Sequence, residues 1–160
     1  MNLFTTVTVI LALIGCALIG GIFFAFSSFI MKALARLPFS QGMLAMQSIN
    51  VVVLNPLFLT LFMGTALTSL LVSIIAIMGW GTPSAPYFII GALLYIVGTF
   101  MVTGMGNVPL NNQLASIAAT DPFASETWQH YLDRWTQLNT LRTVCAIAAT
   151  VMFIIGLIKH

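Results

Sequence analysis

The last apolar segment of the chain opens with aromatic, amide and cationic side chains that could bind and polarise a small molecule. Four of them share one face of a helix by their spacing: Trp128, Trp135, Asn139 and Arg142. Indole rings can stack on an aromatic ligand, and an arginine beside an amide can stabilise an oxyanion. Because Arg142 lies inside the apolar segment, we expect it to snorkel, to pair with a carboxylate, or to hydrogen-bond amides of facing helices.

A second polar run follows Gly104 and Gly106 directly, at positions 107–113 with the sequence NVPLNNQ. These residues predict the end of a helix, a cap at Asn107 and a new short helix from Pro109. Such a helix would lie at the membrane interface. Since capping needs only one of the three asparagines, Asn111 and Asn112 are left to bond something else, and Asn111 is a candidate site residue.

Three amide residues around the second apolar segment are candidates for binding a ligand: Gln47, Asn50 and Asn55. Polar side chains at membrane depth face the interior of a helix bundle, because lipid offers them no hydrogen-bond partner. Pro56 follows Asn55 at once and predicts a kink. Either the Asn55 amide satisfies the backbone group that the proline frees, or the kink and the amide line a cavity.

The composition identifies a lipid bilayer as the surroundings of the elements that must position these residues. Five basic and three acidic residues make up 5% of the 160 residues, the hydrophobic fraction is 60%, and the mean hydropathy is +1.09. A soluble domain carries about 25% charged residues, so an ordinary soluble protein is excluded. The net charge of +2 leaves no basic stripe for a run of phosphates, which excludes nucleic-acid binding.

Long charge-free stretches predict four membrane spans, near 3–30, 51–78, 87–105 and 138–158. We therefore expect an all-α, integral membrane four-helix bundle that forms a single transmembrane domain over 1–160 and contacts membrane lipids. A short interfacial helix should lie between spans 3 and 4, and a turn or two of helix after Ser40 should precede span 2. Without Gly or Pro between 124 and 155, the last helix should begin near Glu126 and its first two turns should project or lie at the surface.

Basic residues near the span ends predict the orientation. Lys32, Arg36 and Arg134 lie in the first and third connections, so the positive-inside rule places these connections in the cytoplasm. This favours a bacterial inner (plasma) membrane protein. Span 1 has an alternative interpretation as a lipoprotein signal peptide that is cleaved before Cys16. However, it lacks a preceding Lys or Arg and continues well beyond Cys16, which favours a retained helix.

Small residues and cysteines add two further expectations. Ala17, Gly21 and Ala25 recur every four residues in span 1, a spacing that lets helices approach closely and makes a homo-oligomer credible. Cys16 and Cys145 lie in apolar surroundings without a neighbouring His or Cys. They predict neither a disulfide framework nor a zinc site.

The polar motifs resemble the signature of the anthrone oxygenase-like membrane proteins, a family of four-helix proteins that is largely a domain of unknown function. The resemblance lies in NVPLN at 107–111, in W-x-x-Y-L-x-x-W-x-x-x-N-x-x-R at 128–142, in GGIFFAF at 20–26 and in MQSIN at 46–50. It covers nearly the whole chain. Some members of this family oxidise anthrones to anthraquinones with molecular oxygen and without a recognised metal or flavin. The resemblance therefore implies such an oxidation as one function for this chain. The chain likewise shows no metal-ligand cluster and no dinucleotide fingerprint, so we expect no cofactor.

One functional hypothesis is therefore a cofactor-independent oxygenase that acts on a small, lipid-soluble, electron-rich aromatic molecule. The roles would be stacking for Trp128 and Trp135, oxyanion binding for Asn111, Asn139 and Arg142, and proton abstraction for His130 or Asp133. His130 lies about 100° from the Trp/Asn/Arg face. It is therefore also consistent with a solvated histidine at the membrane interface.

The alternative hypothesis is a non-catalytic membrane protein that binds a lipid or a partner. The Asn/Trp/Arg set would then be a structural polar lock between helices, since asparagine amides commonly bridge membrane helices. A transporter or channel is a weaker third interpretation, because the spans carry neither repeats nor paired intramembrane acids.

Overall fold

All 160 residues are described by the computed structural model, and helices are its only regular elements. We number five helices: α1 (Leu3–Leu34), α2 (Phe39–Val52), α3 (Pro56–Met78), α4 (Ala85–Ala115) and α5 (Ala124–Ile158). All except α2 are long and apolar enough to cross a membrane. The chain is thus an all-helical integral membrane protein whose outer surface contacts lipid.

The four long helices form a closed bundle. Around it, α1 packs on α3, α3 on α4, α4 on α5, and α5 on α1. Helix α2 does not belong to this ring; it packs against the end of α4 and the beginning of α5. It therefore covers the end of the bundle that lies away from both termini.

Span 2 differs from the prediction because the chain breaks instead of kinking. Helix α2 begins at Phe39 and has 14 residues, and α3 begins separately at Pro56. The Asn55 side chain accepts a hydrogen bond from the Phe58 N–H and donates one to the Val52 carbonyl, both at 3.0 Å. Val52 is the residue whose carbonyl a proline at position 56 leaves unpaired. Asn55 thus satisfies the freed backbone group, and it is an exposed helix cap.

Span 3 differs because its helix does not end at Gly104 or Gly106. Helix α4 runs on through π-helical turns at Ile96–Met101 and Thr103–Asn107 into the α-helical turns Val108–Ala115. The short helix at 108–115 is therefore the end of α4 and not a separate element. Asn107 has helical backbone angles and makes no capping hydrogen bond with its side chain. The predicted cap is wrong because Asn107 is buried and bonds α5 instead.

Helix α5 confirms that one uninterrupted helix runs to the end of the chain. Its 35 residues extend over roughly 52 Å, well beyond the roughly 30 Å of the hydrocarbon layer. The first two turns were expected to project or to lie at the surface, but they do not. Trp128 and Tyr131 are almost fully buried in a cluster with Met43 and Met46 of α2, because α2 folds over them.

The bundle has two cores along its length. The one nearer the termini, here called the apolar core, holds 14 buried residues that include Phe62, Phe88, Tyr95 and Phe153. Glycines let the aromatic rings fit: a Cβ at Gly91 would crowd the Phe153 ring. The other core holds nine buried residues of α1, α2, α4 and α5 and is rich in methionine and aromatic rings.

Candidate functional site

A cavity of about 290 Å³ lies between α1, α2, α4 and α5, under the break between α2 and α3. Twelve of its 18 lining residues are hydrophobic. The lining includes five of the predicted site residues: Gln47, Asn50, Asn111, Trp135 and Arg142. An apolar cavity with a few convergent polar groups is the usual form of a small-molecule site.

Arg142 is the only charged residue in the cavity lining, and its side chain is 3% exposed. The guanidinium donates to Thr103 Oγ1 at 3.0 Å and to Asn139 Oδ1 at 2.8 Å. It lies 4.1 Å from the centre of the Phe23 ring and 5.3 Å from that of the Trp135 ring. Arg142 was expected to snorkel, to pair with a carboxylate or to bond amides of facing helices, and none of these describes its contacts. Its partner on a facing helix is the Thr103 hydroxyl, and its amide partner, Asn139, belongs to its own helix.

The charge of Arg142 has no anionic partner in the cavity. No Asp or Glu contributes to the lining, and the three acidic residues of the chain, Asp121, Glu126 and Asp133, are all exposed. Its Nε has no hydrogen-bond partner. A buried cation is costly unless it is paired, so the geometry favours a ligand that brings negative charge or an oxygen acceptor.

Asn139 positions Arg142 from behind the cavity. Its Nδ2 donates to the Phe23 carbonyl and to Ser27 Oγ, both at 2.7 Å, while its Oδ1 accepts from Arg142. The Asn139 amide is thus bonded at both ends to other protein groups, and Asn139 does not line the cavity. Asn139 therefore joins α5 to α1 and holds the guanidinium in place, and the geometry makes it a positioning residue.

Asn111 presents a hydrogen-bond donor to the cavity. Its Oδ1 accepts from the Tyr131 hydroxyl and from Trp135 Nε1, each at 2.8 Å. Because two donors contact the same atom, that atom must be the amide oxygen, and the NH2 group remains for a ligand. The same contacts hold the Trp135 indole in the cavity wall.

The amides of α2 complete the polar lining on the opposite side. Asn50 Nδ2 donates to the Tyr131 hydroxyl at 3.3 Å, and Gln47 Nε2 donates to the carbonyls of Leu114 and Ile117. Both amides thereby hold α2 against α4 and α5. Their side-chain oxygens remain as acceptors in the cavity lining.

Besides Asn139, three of the predicted site residues do not line the cavity. Trp128 stacks on Tyr131, and Tyr131 on Trp135, with ring centres 5.8 and 6.0 Å apart, so Trp128 supports the wall from behind. Asn55 caps α3. His130 is exposed and lines a separate groove on the outside of the bundle with Arg134.

Neither predicted base reaches the cavity, since His130 lines the groove on the outside of the bundle and Asp133 lines a second groove between α1 and α5. The structure also adds residues that the sequence reasoning missed: Thr103, Phe23 and Tyr131. Tyr131 lies within the motif at 128–142, so its spacing was a usable signal. Thr103 and Phe23 belong to other helices and become neighbours of Arg142 only through packing.

No three residues among His, Cys, Asp and Glu come together in an arrangement that could hold a metal ion. No curated protein and no solved structure matches the chain. A family model described as anthrone oxygenase matches residues 56–152. The matched region covers more than half of the chain and contains Asn111, Trp135, Asn139 and Arg142, and the protein therefore belongs to the anthrone oxygenase family.

Proposed function

We propose that the cavity binds a small, lipid-soluble aromatic enol or phenol as its oxyanion and promotes its oxidation by molecular oxygen. The observation that supports this best is the Arg142 guanidinium, which is buried in the wall of an apolar cavity without a carboxylate partner. A preorganised cation in a water-poor site stabilises a developing oxyanion strongly. The family to which the chain belongs supports an anthrone-like substrate.

The balanced reaction for an anthrone is the conversion of its ring CH2 group into a carbonyl. The substrate loses two hydrogens and four electrons, while O2 gives one oxygen atom to the new carbonyl and the other to water. Loss of a proton from the CH2 group first forms the electron-rich enolate that reacts with oxygen. Binding of the enolate oxygen to Arg142 and Asn111 favours this ionised form.

The remaining lining residues orient the aromatic ring. Trp135 and Phe26, whose ring centres lie 5.6 Å apart, bound one side of the cavity, and the Gln47 and Asn50 oxygens can accept bonds from ring hydroxyls. No His, Asp or Glu lines the cavity. We infer that a water molecule accepts the proton, and that the cation contributes by making its loss easier.

The proposed substrate enters from the lipid. Val51 and Leu54, which line the cavity, are 73% and 66% exposed at the break between α2 and α3. This opening faces the side of the bundle and suits a ligand dissolved in the bilayer. We place the protein in a bacterial plasma membrane with the first and third connections in the cytoplasm, and small residues in α1 are compatible with a homo-oligomer.

The sharpest test compares Thr103→Asp with Thr103→Asn. Thr103 lines the cavity and accepts a hydrogen bond from Arg142, so the two variants differ chiefly by one negative charge beside the guanidinium. We expect Thr103→Asp to pair with Arg142 and to reduce oxygen-dependent anthrone turnover by about 100-fold or more, the scale of losing one oxyanion contact. Thr103→Asn should keep turnover within about tenfold.

The measurements are oxygen uptake and quinone absorbance with purified protein in detergent, together with thermal unfolding of each variant. Equal turnover by the two variants, with both folded, would contradict the proposed role of the Arg142 charge. An absence of anthrone oxidation in the wild-type protein would contradict the proposed reaction itself.

A second candidate function is a non-catalytic one, in which the same residues lock the helices and the cavity holds a lipid or a partner segment. The hydrogen bonds of Asn139 to α1 favour it, because they join two spans without involving a ligand. Under this function the wild-type protein should show no anthrone-dependent oxygen uptake, and Arg142→Ala should lower its thermal stability strongly.

A further inference from the structure

A groove of about 570 Å³ runs along the outside of the bundle between α4 and α5, on a different face from the cavity. Its wall on α4 extends from Val97 to Leu110, and its wall on α5 from His130 to Leu138. The helices come close at Gly106, where a Cβ would meet the Leu138 side chain. The groove follows the π-helical turns of α4.

The groove is cationic at one end and apolar along the rest. His130 and Arg134 lie one turn apart on α5, and both are exposed. Toward the bundle centre the lining is Val97, Met101 and Leu138. The one side-chain hydrogen bond of Arg134 is a long one, 3.3 Å to Gln137, so its guanidinium has donors to spare.

The position of the groove along α5 matches the layers of a bilayer. Counting back from Ile158, about 20 residues fill the hydrocarbon thickness of roughly 30 Å and place its boundary near Leu138. Arg134 then lies about 6 Å outside that boundary, at the level of lipid headgroups. From Pro109 to Val97 the groove descends at most about 18 Å, close to the depth of one leaflet.

We propose that this groove binds one anionic phospholipid, with its phosphate at Arg134 and His130 and one acyl chain against Met101 and Val97. Both a guanidinium and an imidazole N–H donate to phosphate oxygens. Charge complementarity then favours an anionic headgroup, because a zwitterionic one brings a cation of its own close to Arg134. The apolar part of the groove selects a lipid over a soluble anion. The site is independent of the cavity function, since none of these residues lines the cavity.

The test measures lipid retention by native mass spectrometry after exchange of the full-length protein into phosphatidylglycerol or phosphatidylcholine with identical acyl chains. We expect one retained phosphatidylglycerol. Arg134→Gln should weaken its retention about fivefold, the effect of one cation near a membrane surface. The matched control Arg36→Gln removes the same charge from an exposed site outside the groove and should change retention by less than twofold.

A second variant tests the apolar part without changing the charge. Val97→Phe combined with Met101→Phe should fill the groove and abolish retention, while thermal unfolding and size-exclusion profiles stay as in the wild type. If Arg134→Gln fails to fold, this second variant still tests whether the lipid binds in the groove.

Four outcomes would overturn the proposal. They are equal retention of the two lipids, an equal effect of Arg36→Gln and Arg134→Gln, displacement of the lipid by millimolar inorganic phosphate, and a change of oligomeric state in the filled variant. The third would indicate a site for free phosphate, and the fourth an interface with a second copy of the chain.

Discussion

The apolar core and the cavity share α1, α4 and α5, yet one is filled and the other is open. In the apolar core, rings fill the space that glycines leave, as where Phe153 packs on Gly91. Around the cavity, the same helices carry Asn, Thr, Trp and Arg, whose hydrogen bonds hold their side chains at set positions. Dispersion can close a gap between apolar residues, whereas directional hydrogen bonds can keep one open.

A further difference lies in the regularity of the helices. Helix α4 is α-helical over Ala85–Tyr95, where it borders the apolar core, and π-helical over Thr103–Asn107 near Arg142. A π-helical turn shifts the register of the side chains that follow it. With this shift, Thr103 and Asn111 both line the cavity. Helix α4 therefore departs from regular α-helical geometry beside the candidate site.

The largest expected effect on stability comes from opening the apolar core. Phe153 is fully buried, and Phe153→Ala should lower the free energy of unfolding by about 3 kcal/mol, the low end of the range for such truncations. Ligand binding in the cavity should persist in the folded fraction. The measurement is thermal or denaturant unfolding in detergent.

Leu67→Ala is the matched control for the apolar core, because Leu67 is 59% exposed toward lipid and should change the unfolding free energy by less than about 0.5 kcal/mol. A loss of cavity binding in folded Phe153→Ala protein would show that the two regions do not act separately.

A smaller loss of unfolding free energy is expected from Asn139→Ala, which changes the residues around the cavity. The substitution removes one hydrogen bond from the Phe23 carbonyl and the bond that the Arg142 guanidinium makes to Asn139 Oδ1, at a cost of about 2 kcal/mol. Unlike Phe153→Ala, it should also weaken binding of anionic ligands, since Arg142 loses its support. Unfolding and ligand titration report the two effects.

Gln113→Ala removes an exposed amide from the same end of the bundle and serves as the control for Asn139→Ala. If Asn139→Ala cost stability but left ligand affinity at the wild-type value, the residue would be a helix lock and not a positioning residue.

The smallest effect concerns the break between α2 and α3. Asn55→Ala removes the cap of α3 and should cost about 1 kcal/mol. Because α2 forms one wall of the cavity, its loosening should also quicken ligand exchange, which stopped-flow fluorescence of Trp135 can follow.

Asn2 caps α1 by the same contact, from Thr5 N–H to Asn2 Oδ1 at 2.9 Å. Asn2→Ala should therefore cost similar stability without changing ligand exchange. Identical exchange rates in the two variants would place the ligand route elsewhere.

Much of the fold could be predicted from the charges alone. Stretches without charge locate the first three spans and all but the beginning of the fourth, which holds Arg142, because burying an unpaired charge in hydrocarbon is costly. The long last helix was also predictable, since nothing between 124 and 155 disfavours it. In both cases the controlling physics is local or depends only on composition.

The errors arose where tertiary contacts outweighed local preference. Gly104 and Gly106 favour a helix end in isolation, but packing against Leu138 keeps α4 continuous. Asn107 could cap a helix as well as any asparagine, but its amide donates to the Trp135 carbonyl of α5. Pro56 was expected to kink a helix and instead begins one.

The sequence by itself determined that the protein lies in a bilayer, and that Trp135, Asn139 and Arg142 share a helix face, because hydropathy and helical period are properties of the chain. Only the tertiary structure decided that Arg142 meets Thr103 and Phe23. It also placed Asn111 in the cavity wall, with its Oδ1 bonded to Tyr131 and Trp135, and His130 outside the cavity. The physical reason is that contacts between helices depend on their relative rotation and depth, which no spacing within one helix records.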